Sequence, residues 1–409
     1  MAYRESSGGS RPRPNARRRV SVESEGIIRR ITDMFTPKAK DIHGKIRISK
    51  GTPDYQFLMV VCLLLAFGLI MLFSAGSFRA FASTGDSLWF LKRQIRGVIG
   101  GAVLMYLFYK IDYHELARYS SSIMFVCLVM LIMVIIPGVG TTRNGATRWL
   151  FSLQPSEFAK FGIIVSFAHT LSKNRDLIGD FLHGYVPHIA VLGIFAGLLM
   201  LEPHFSCVVL MGLTAVLIMY VAGAKIKHFV LTGLMAVPVG IIAIIQEPYR
   251  LARITSFLDP FADKQGSGWQ IVQSLYAIGS GGIFGAGLGK SSQKYLSLPE
   301  PQNDFIFSVL AEELGLIGVL MLVALFAFLV YRGIKIAANA PDMFGTLLVV
   351  GIVGMIAFQT VINIAVVTST VPVTGMPLPF FSFGSSALIT TMAEMGVVMS
   401  VSKNSKSLL

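Results

Sequence analysis

PEPQNDFIFSVLAEELGLIGVLMLVALFAFLVY, residues 299–331, runs from a polar, proline-bearing loop into a long apolar block. From residue 304 onward the block exceeds the roughly 20 residues that an α-helix needs to cross a bilayer. Asp304 stands where loop becomes helix, and a carboxylate at the rim of a membrane is costly unless something uses it. Two uses are open. Asn303 and Asp304 are favoured helix caps, and a fixed carboxylate can also take a proton from a substrate arriving along the bilayer surface. Glu312 and Glu313 place further acids at this same end of the block.

Similar blocks recur at about 55–77, 94–110, 117–137, 155–172, 185–201, 204–222, 226–245, 344–368 and 382–402. Of the 409 residues, 54% are hydrophobic and only 14% charged, against about a quarter charged in a soluble protein. The expected fold is an all-α integral membrane protein with about ten transmembrane helices and a long extracytoplasmic loop, 246–303, between the seventh and eighth. Cys62, Cys127 and Cys207 all fall within apolar blocks, which suits neither a disulfide framework nor a zinc site; they read as packing residues, and no protein-held metal is expected. No cleavable signal peptide is visible ahead of the first apolar block near Phe57.

The net charge of +13 does not point to nucleic acid. Much of the excess lies in residues 1–54, in RPRPNARRR and KAKDIHGKIR. That stretch is too poor in large apolar residues to bury a core. It reads as a disordered cytoplasmic tail, with docking to anionic lipid or a cytoplasmic partner as alternatives. Residues 55–409 form a single polytopic membrane domain.

With the tail in the cytoplasm, Lys110 and Arg118, Lys173 and Arg175, Lys225 and Lys227, Arg332 and Lys335, and Lys403 and Lys406 fall in inner loops, and both termini are cytoplasmic. Arg79, Lys92, Arg93, Arg96, Arg143, Arg148, Arg250, Arg253, Lys264, Lys290 and Lys294 then lie outside. These work against the orientation bias, so many of them are expected to bind an outer anion such as a pyrophosphate.

The long loop holds GWQIVQSLYAIGSGG (268–282), with Gln273, which reads as an amphipathic segment along the membrane surface. GAGLGKSS (285–292) looks like a P-loop but fails the spacing. With Gly289-Lys290 as the closing pair, the opening glycine would fall at residue 284, which is Phe284. It also follows no strand. Its glycines still allow close backbone approach, and Lys290 can meet phosphate oxygens as a point charge.

QPSEFAK (154–160) opens the fourth span, and Glu157 and Lys160 share a helix face. Either the pair fixes helix packing or it forms the polar floor of a substrate cavity, with Arg148 in GATRW extending the cluster. EPHFSC (202–207) makes the tight turn between the fifth and sixth spans, with His204 as a turn residue, and Glu394 is a further polar point in the last span. VPVTGMPLPFFSFGSS (371–386) carries Pro372, Pro377 and Pro379, which forbid regular helix. Its apolar content favours a segment folded in to line a cavity, and Ser382 within it is a substrate-binding candidate.

These motifs resemble the shape, elongation, division and sporulation (SEDS) family, whose members include FtsW and RodA. The resemblance is carried by FLKRQ (90–94), GATRWL with QPSEFAK, GWQIVQSLYAIGSGGIFGAGLGKS, LPEPQNDFIFSVLAEELG and the proline-rich segment ending in FSFGSS, and it covers the chain from about 54 onward. FLKRQ and LPEPQNDFIF are most similar to FtsW and its sporulation relative. Two departures stand out: Phe383 and Gly384-Ser385 replace a tyrosine and a glycine pair, and His204 replaces an acid.

The resemblance implies a peptidoglycan glycosyltransferase that polymerises lipid II at the outer face of the cytoplasmic membrane for septal synthesis. It implies Asp304 as the catalytic acid and Glu157 with Lys160 as the buried pair. Arg148, Arg253, Gln273, Lys290, Lys294 and Ser382 are candidates to hold lipid II or undecaprenyl-pyrophosphate-linked glycan, with a divalent cation such as Mg or Mn as a possible helper. A class B penicillin-binding protein and other division proteins are the implied partners. A lipid II flippase is the rival reading, which Glu157 and Lys160 would suit equally, and an idle scaffold is the third.

Overall fold

The computed structural model describes residues 52–143, 146–151, 153–246, 248–262, 266, 268–295 and 298–405. The basic tail up to residue 51, Lys264 and Lys406 lie outside them. The chain is an all-α membrane protein built on long helices: α1 (Tyr55–Thr84), α2 (Trp89–Lys110), α3 (Ser120–Ile135), α4 (Pro155–Lys173), α5 (Val186–Leu201), α6 (Phe205–Ala222), α7 (Ile226–Ile245), α8 (Ile306–Ala338), α9 (Met343–Val367) and α10 (Ser385–Asn404). All but three of these pass for membrane spans on length and hydropathy alone. Helix α2 carries Lys92, Arg93 and Arg96, α3 is short, and α4 is polar. Helix α4 tolerates its polarity because protein surrounds it: it packs against α3, α6 and α9, and most of its residues are buried. Helix α7 is the opposite case. Only 6% of its apolar window is buried, so almost all of it is left uncovered by the rest of the chain.

Asp54, the last residue assigned to the tail, belongs to the membrane domain. Its carboxylate accepts from the Phe57 amide at 2.9 Å, capping α1, and from Arg332 Nε of α8 at 3.1 Å. Two connections depart from plain helix. Strands β1 (Thr141–Arg143) and β2 (Ala146–Trp149) pair antiparallel between α3 and α4 and carry Arg148. The long loop folds into helices Pro248–Leu258 and Trp269–Gly281. The second buries one face against the rest of the chain. Ile271, Val272, Ser274 and Ala277 are buried, and the segment packs against α8, where Ser274 and Ser308 share a hydroxyl hydrogen bond of 2.6 Å. Its alternation of small polar and apolar residues suits a protein groove as well as an interface.

Helix α8 is broken at Gly315, whose φ is +64. The break leaves two carbonyls and two amides without partners inside the helix, and an unpaired buried backbone group is expensive. The glycine-rich loop supplies all four. Ala286 and Gly287 donate to the Glu312 and Glu313 carbonyls, each at 2.9 Å, and Leu316 and Ile317 donate to the Gly282 and Ile283 carbonyls at 2.9 and 3.2 Å. A Cβ on Gly315 would sit 2.4 Å from the Gly285 nitrogen, and one on Gly285 would sit 2.2 Å from the Glu313 carbonyl oxygen. The loop that looked like a phosphate cradle therefore uses its amides on the helix.

The same join is locked by charge. Glu313, fully buried, accepts from Lys294 Nζ at 2.7 Å and from the Ser74 hydroxyl of α1. Glu312 accepts from the Ser292 amide at 2.7 Å and its hydroxyl at 2.8 Å. Replacing Lys294 by Ala strands the Glu313 carboxylate in the core. Breaking a buried pair this way costs about 3–5 kcal/mol. The double change Lys294→Met with Glu313→Gln removes both charges and should cost clearly less. Thermal unfolding of the detergent-purified variants checks this, and equal losses would mean that the charge pairing is not what matters here.

Candidate functional site

Two irregular segments meet at one end of the bundle, 298–305 before α8 and 371–384 between α9 and α10. Amides from apolar helices hold them. Asn363 Nδ2 of α9 donates to the Asp304 carbonyl at 2.9 Å and to the Met376 carbonyl at 2.7 Å. Gln359, one turn earlier on α9, donates to the Pro377 carbonyl at 2.8 Å. Gln94 of α2 donates to the Ser382 carbonyl at 3.2 Å and accepts from the Gly384 amide at 3.2 Å. The Ser382 hydroxyl donates to the Asn303 carbonyl at 2.6 Å and accepts from the Leu378 amide at 2.8 Å.

Between these segments and the starts of α4, α6 and α10 lies a cavity of about 760 Å³. Asp304, Arg148, Glu157, Lys160, Arg253 and Ser382 all line it. The structure thus brings six of the nine residues singled out from the sequence to one place. Lys290, Lys294 and Gln273 do not line it. Lys294 is committed to Glu313, Gln273 is buried in the Trp269–Gly281 helix, and Lys290 is exposed on the glycine-rich loop.

Asp304 does not cap α8. The helix starts at Ile306 with Phe305 at its cap position, and no side chain caps it. The loop carries the Asp304 carboxylate into the cavity, where it makes no hydrogen bond among the described residues. Burial pushes its pKa up to about 6, with Arg253 and Arg148 pulling it down and Glu300 pushing it up. Arg253 Nη1 donates to the Val373 carbonyl at 2.9 Å, and Arg148 Nε donates to the Glu202 carbonyl at 3.1 Å. Both guanidiniums are therefore tied to main chain, which fixes them beside the acid.

The cavity floor is the Glu157–Lys160 pair, 2.9 Å apart and nearly inaccessible. Glu394 of α10 lies within electrostatic range of Lys160. His204 lines the cavity from the turn between α5 and α6, and burial with Arg148 and Lys160 nearby lowers its pKa to about 3, so it is neutral. Sequence reasoning missed the tethers Gln94, Gln359 and Asn363. Their signal was there, since amides inside apolar blocks need partners, and Gln359 and Asn363 are spaced to share a helix face. Among the described residues no three acids, histidines or cysteines converge to hold a metal.

The sequence matches the FtsW, RodA and SpoVE cell cycle protein family over residues 55–407. The chain belongs to this family. It is 43% identical to stage V sporulation protein E of Bacillus subtilis over 361 residues, covering 87% of this chain and 99% of that protein. It is 39% identical to a probable peptidoglycan glycosyltransferase FtsW of Trichlorobacter lovleyi over 357 residues, 86% of this chain and 94% of the relative. Among solved structures, a chain from a peptidoglycan synthase complex that coordinates polymerization and crosslinking superposes with a TM-score of 0.72 at 29% identity, covering 86% of this chain and 98% of that one. The rod shape determining protein RodA of Thermus thermophilus gives a TM-score of 0.64 at 27% identity, with 86% and 97% covered. The family fold expected from the motifs is the fold observed.

Gly375 lines the cavity with φ +70, and a Cβ there would lie 3.4 Å from Asp304 Oδ2. Gly375→Ala should cost roughly 1–2 kcal/mol through the left-handed backbone alone and crowd the carboxylate as well. Thermal unfolding reads the first effect, and an unchanged midpoint would contradict it.

Proposed function

We propose that this family member is a peptidoglycan glycosyltransferase that polymerises lipid II into glycan strands at the outer face of the cytoplasmic membrane, for septal wall synthesis. The observation that carries the reading is the Asp304 carboxylate, which makes no hydrogen bond among the described residues and lines one cavity with Arg148 and Arg253. Asp304 takes the proton from the acceptor sugar hydroxyl as that oxygen attacks the anomeric carbon of the lipid-linked donor. The bond to the diphosphate breaks, and undecaprenyl diphosphate leaves carrying its chain. One carboxylate suits a direct inverting displacement better than a two-carboxylate retaining scheme. A base with a pKa near 6 is mostly ionised at neutral pH and still basic enough to accept the proton. Arg148 and Arg253 supply positive charge as the diphosphate departs. The cavity's donor set does not suit a protein-held divalent cation, since Glu157 is paired and leaves Asp304 with Glu300, so no step is routed through one.

Both termini are assigned to the cytoplasm on the inner-loop basic residues. A class B penicillin-binding protein is the proposed partner, supported by the likeness to a chain from a polymerising and crosslinking complex, and other division proteins would join it at the septum. The 43% identity to a sporulation protein supports a second reading in which the same chemistry serves spore wall synthesis.

Asp304→Asn keeps the shape and loses the base, so lipid II polymerisation by the purified protein, with its partner if needed, should fall by about 10²–10⁴-fold. Full activity in a well-folded variant would sink the mechanism. The pH dependence follows from the ionised form being the active one. The rate kcat/KM should rise through about pH 6 and level off above it. Arg253→Gln removes a charge that favours the ionised form, so it should move that midpoint upward. A midpoint that stays in place or falls would contradict the electrostatic role given to Arg253.

A further inference from the structure

A second cavity, of about 360 Å³, is walled by the end of α3, strands β1 and β2 and the end of α5. Val134, Ile135, Thr142, Thr147, Leu201 and Glu202 are among the residues that line it. Its walls are shared with the cavity that holds Asp304. On β2, Thr147 lines the second cavity while Arg148 and Trp149 line the first. On the turn between α5 and α6, Glu202 lines the second while Pro203 and His204 line the first.

Glu202 is only 2% exposed, and neither of its carboxylate oxygens has a hydrogen-bond partner. A buried acid left in this way is expensive and calls for a donor. The Arg148 guanidinium donates to the main-chain carbonyls of Glu202 and Pro203 and leaves the carboxylate unbonded. Burial pushes the Glu202 pKa up to about 8, with Arg148 pulling it down, and Cys207 of α6 also feels its charge. No hydrogen bond holds the carboxylate, so turning it toward a ligand breaks none. Among the described residues no lysine, arginine or histidine lines this cavity, so it has no side-chain charge to offer an anion. Thr142 and Thr147 share a hydroxyl hydrogen bond of 2.7 Å, and both oxygens can still accept. One acid, two accepting hydroxyls and apolar walls suit a primary ammonium on an alkyl arm, whose methylenes pack on apolar surface while its charge is paired.

We infer that this second cavity binds the primary ammonium of a peptide arm carried on the sugar substrate, with Glu202 as its counter-ion. The inference rests on the glycosyltransferase reading and adds a place where the peptide is recognised. The shared walls favour a substrate arm over a lysine of a partner protein. A sugar seated at Asp304 meets β2 and the turn between α5 and α6, and both elements also face the second cavity. The volume lies at the small end of ligand pockets, which run from roughly 300 to 1,000 Å³, and suits one alkyl arm. Below about pH 8 the cation must displace the carboxyl proton, and above it the carboxylate is already ionised. Affinity for the amine therefore rises with pH up to about 8 and then levels off.

The test uses the full chain in nanodiscs and two probes, lipid II with a lysine in its peptide and the same lipid with that amine acetylated. Wild type should bind the free-amine form about tenfold more tightly, as expected for a charge-assisted hydrogen bond. That preference should grow from neutral pH to about 8 and then stop growing. Glu202→Gln should bind the two forms alike. Glu202→Asp, which keeps the charge, should recover part of the preference, and thermal unfolding checks that both variants fold. The wild-type comparison needs no variant, so it decides the matter even if Glu202→Gln misfolds. Equal binding of the two forms by wild type overturns the site, as does a preference that survives in Glu202→Gln. Weaker capture of a purified class B penicillin-binding protein by Glu202→Gln, with no lipid preference in wild type, would give the cavity to a partner and overturns it too. Polymerisation by wild type without an amine preference would refute the site and leave the activity standing. A Glu202-dependent preference with no polymerisation, even with the partner present, would refute the activity and leave the site.

Discussion

Irregular backbone at membrane depth survives only if every carbonyl and amide finds a partner, and the cavity end of this protein is organised by that requirement. Two non-helical segments must lie side by side to form the cavity, and neither can satisfy itself. Asn363 resolves this with one amide group that serves the Asp304 and Met376 carbonyls together. Gln359, Gln94 and Ser382 extend the same solution. The position of the Asp304 carboxylate follows from these main-chain bonds, because its own side chain is not used to hold anything.

The charged groups divide by the same logic. Lys294 with Glu313 and Arg332 with Asp54 are buried pairs that join distant parts of the chain. Arg148 and Arg253 donate to main-chain carbonyls, and both act electrostatically on Asp304. Of the basic residues assigned to the outer face, Arg79, Lys92 and Lys294 pair with acids, and Arg93, Arg148 and Arg253 line the cavity.

Much of the architecture was legible because apolar blocks of spanning length have few other fates, and the helices follow them closely. The hidden part lay where sequence spacing carries no depth. Lys290, Lys294 and Asp304 are near one another in the chain, yet only Asp304 reaches the cavity, because the glycine-rich loop is consumed by the break at Gly315. Ser382 reads as a ligand-binding hydroxyl, but both of its hydrogen bonds go to main chain. Capping was a sound expectation for Asp304 from residue type; the extra turn of irregular backbone before Ile306 turned it elsewhere. Asn363 and Gln359 share a helix face within an apolar run, but that spacing does not say which backbone carbonyls they serve.

Helix α7 has almost no protein around it and leads directly into the short helix that carries Arg253. A span with so few protein neighbours takes its tilt from the thickness of the surrounding bilayer, at fractions of a kcal/mol per ångström of mismatch. Arg253 follows that span in the chain and donates to the Val373 carbonyl. A bilayer thickness that moved this span would reach the acid through Arg253, whose charge lowers the pKa of Asp304.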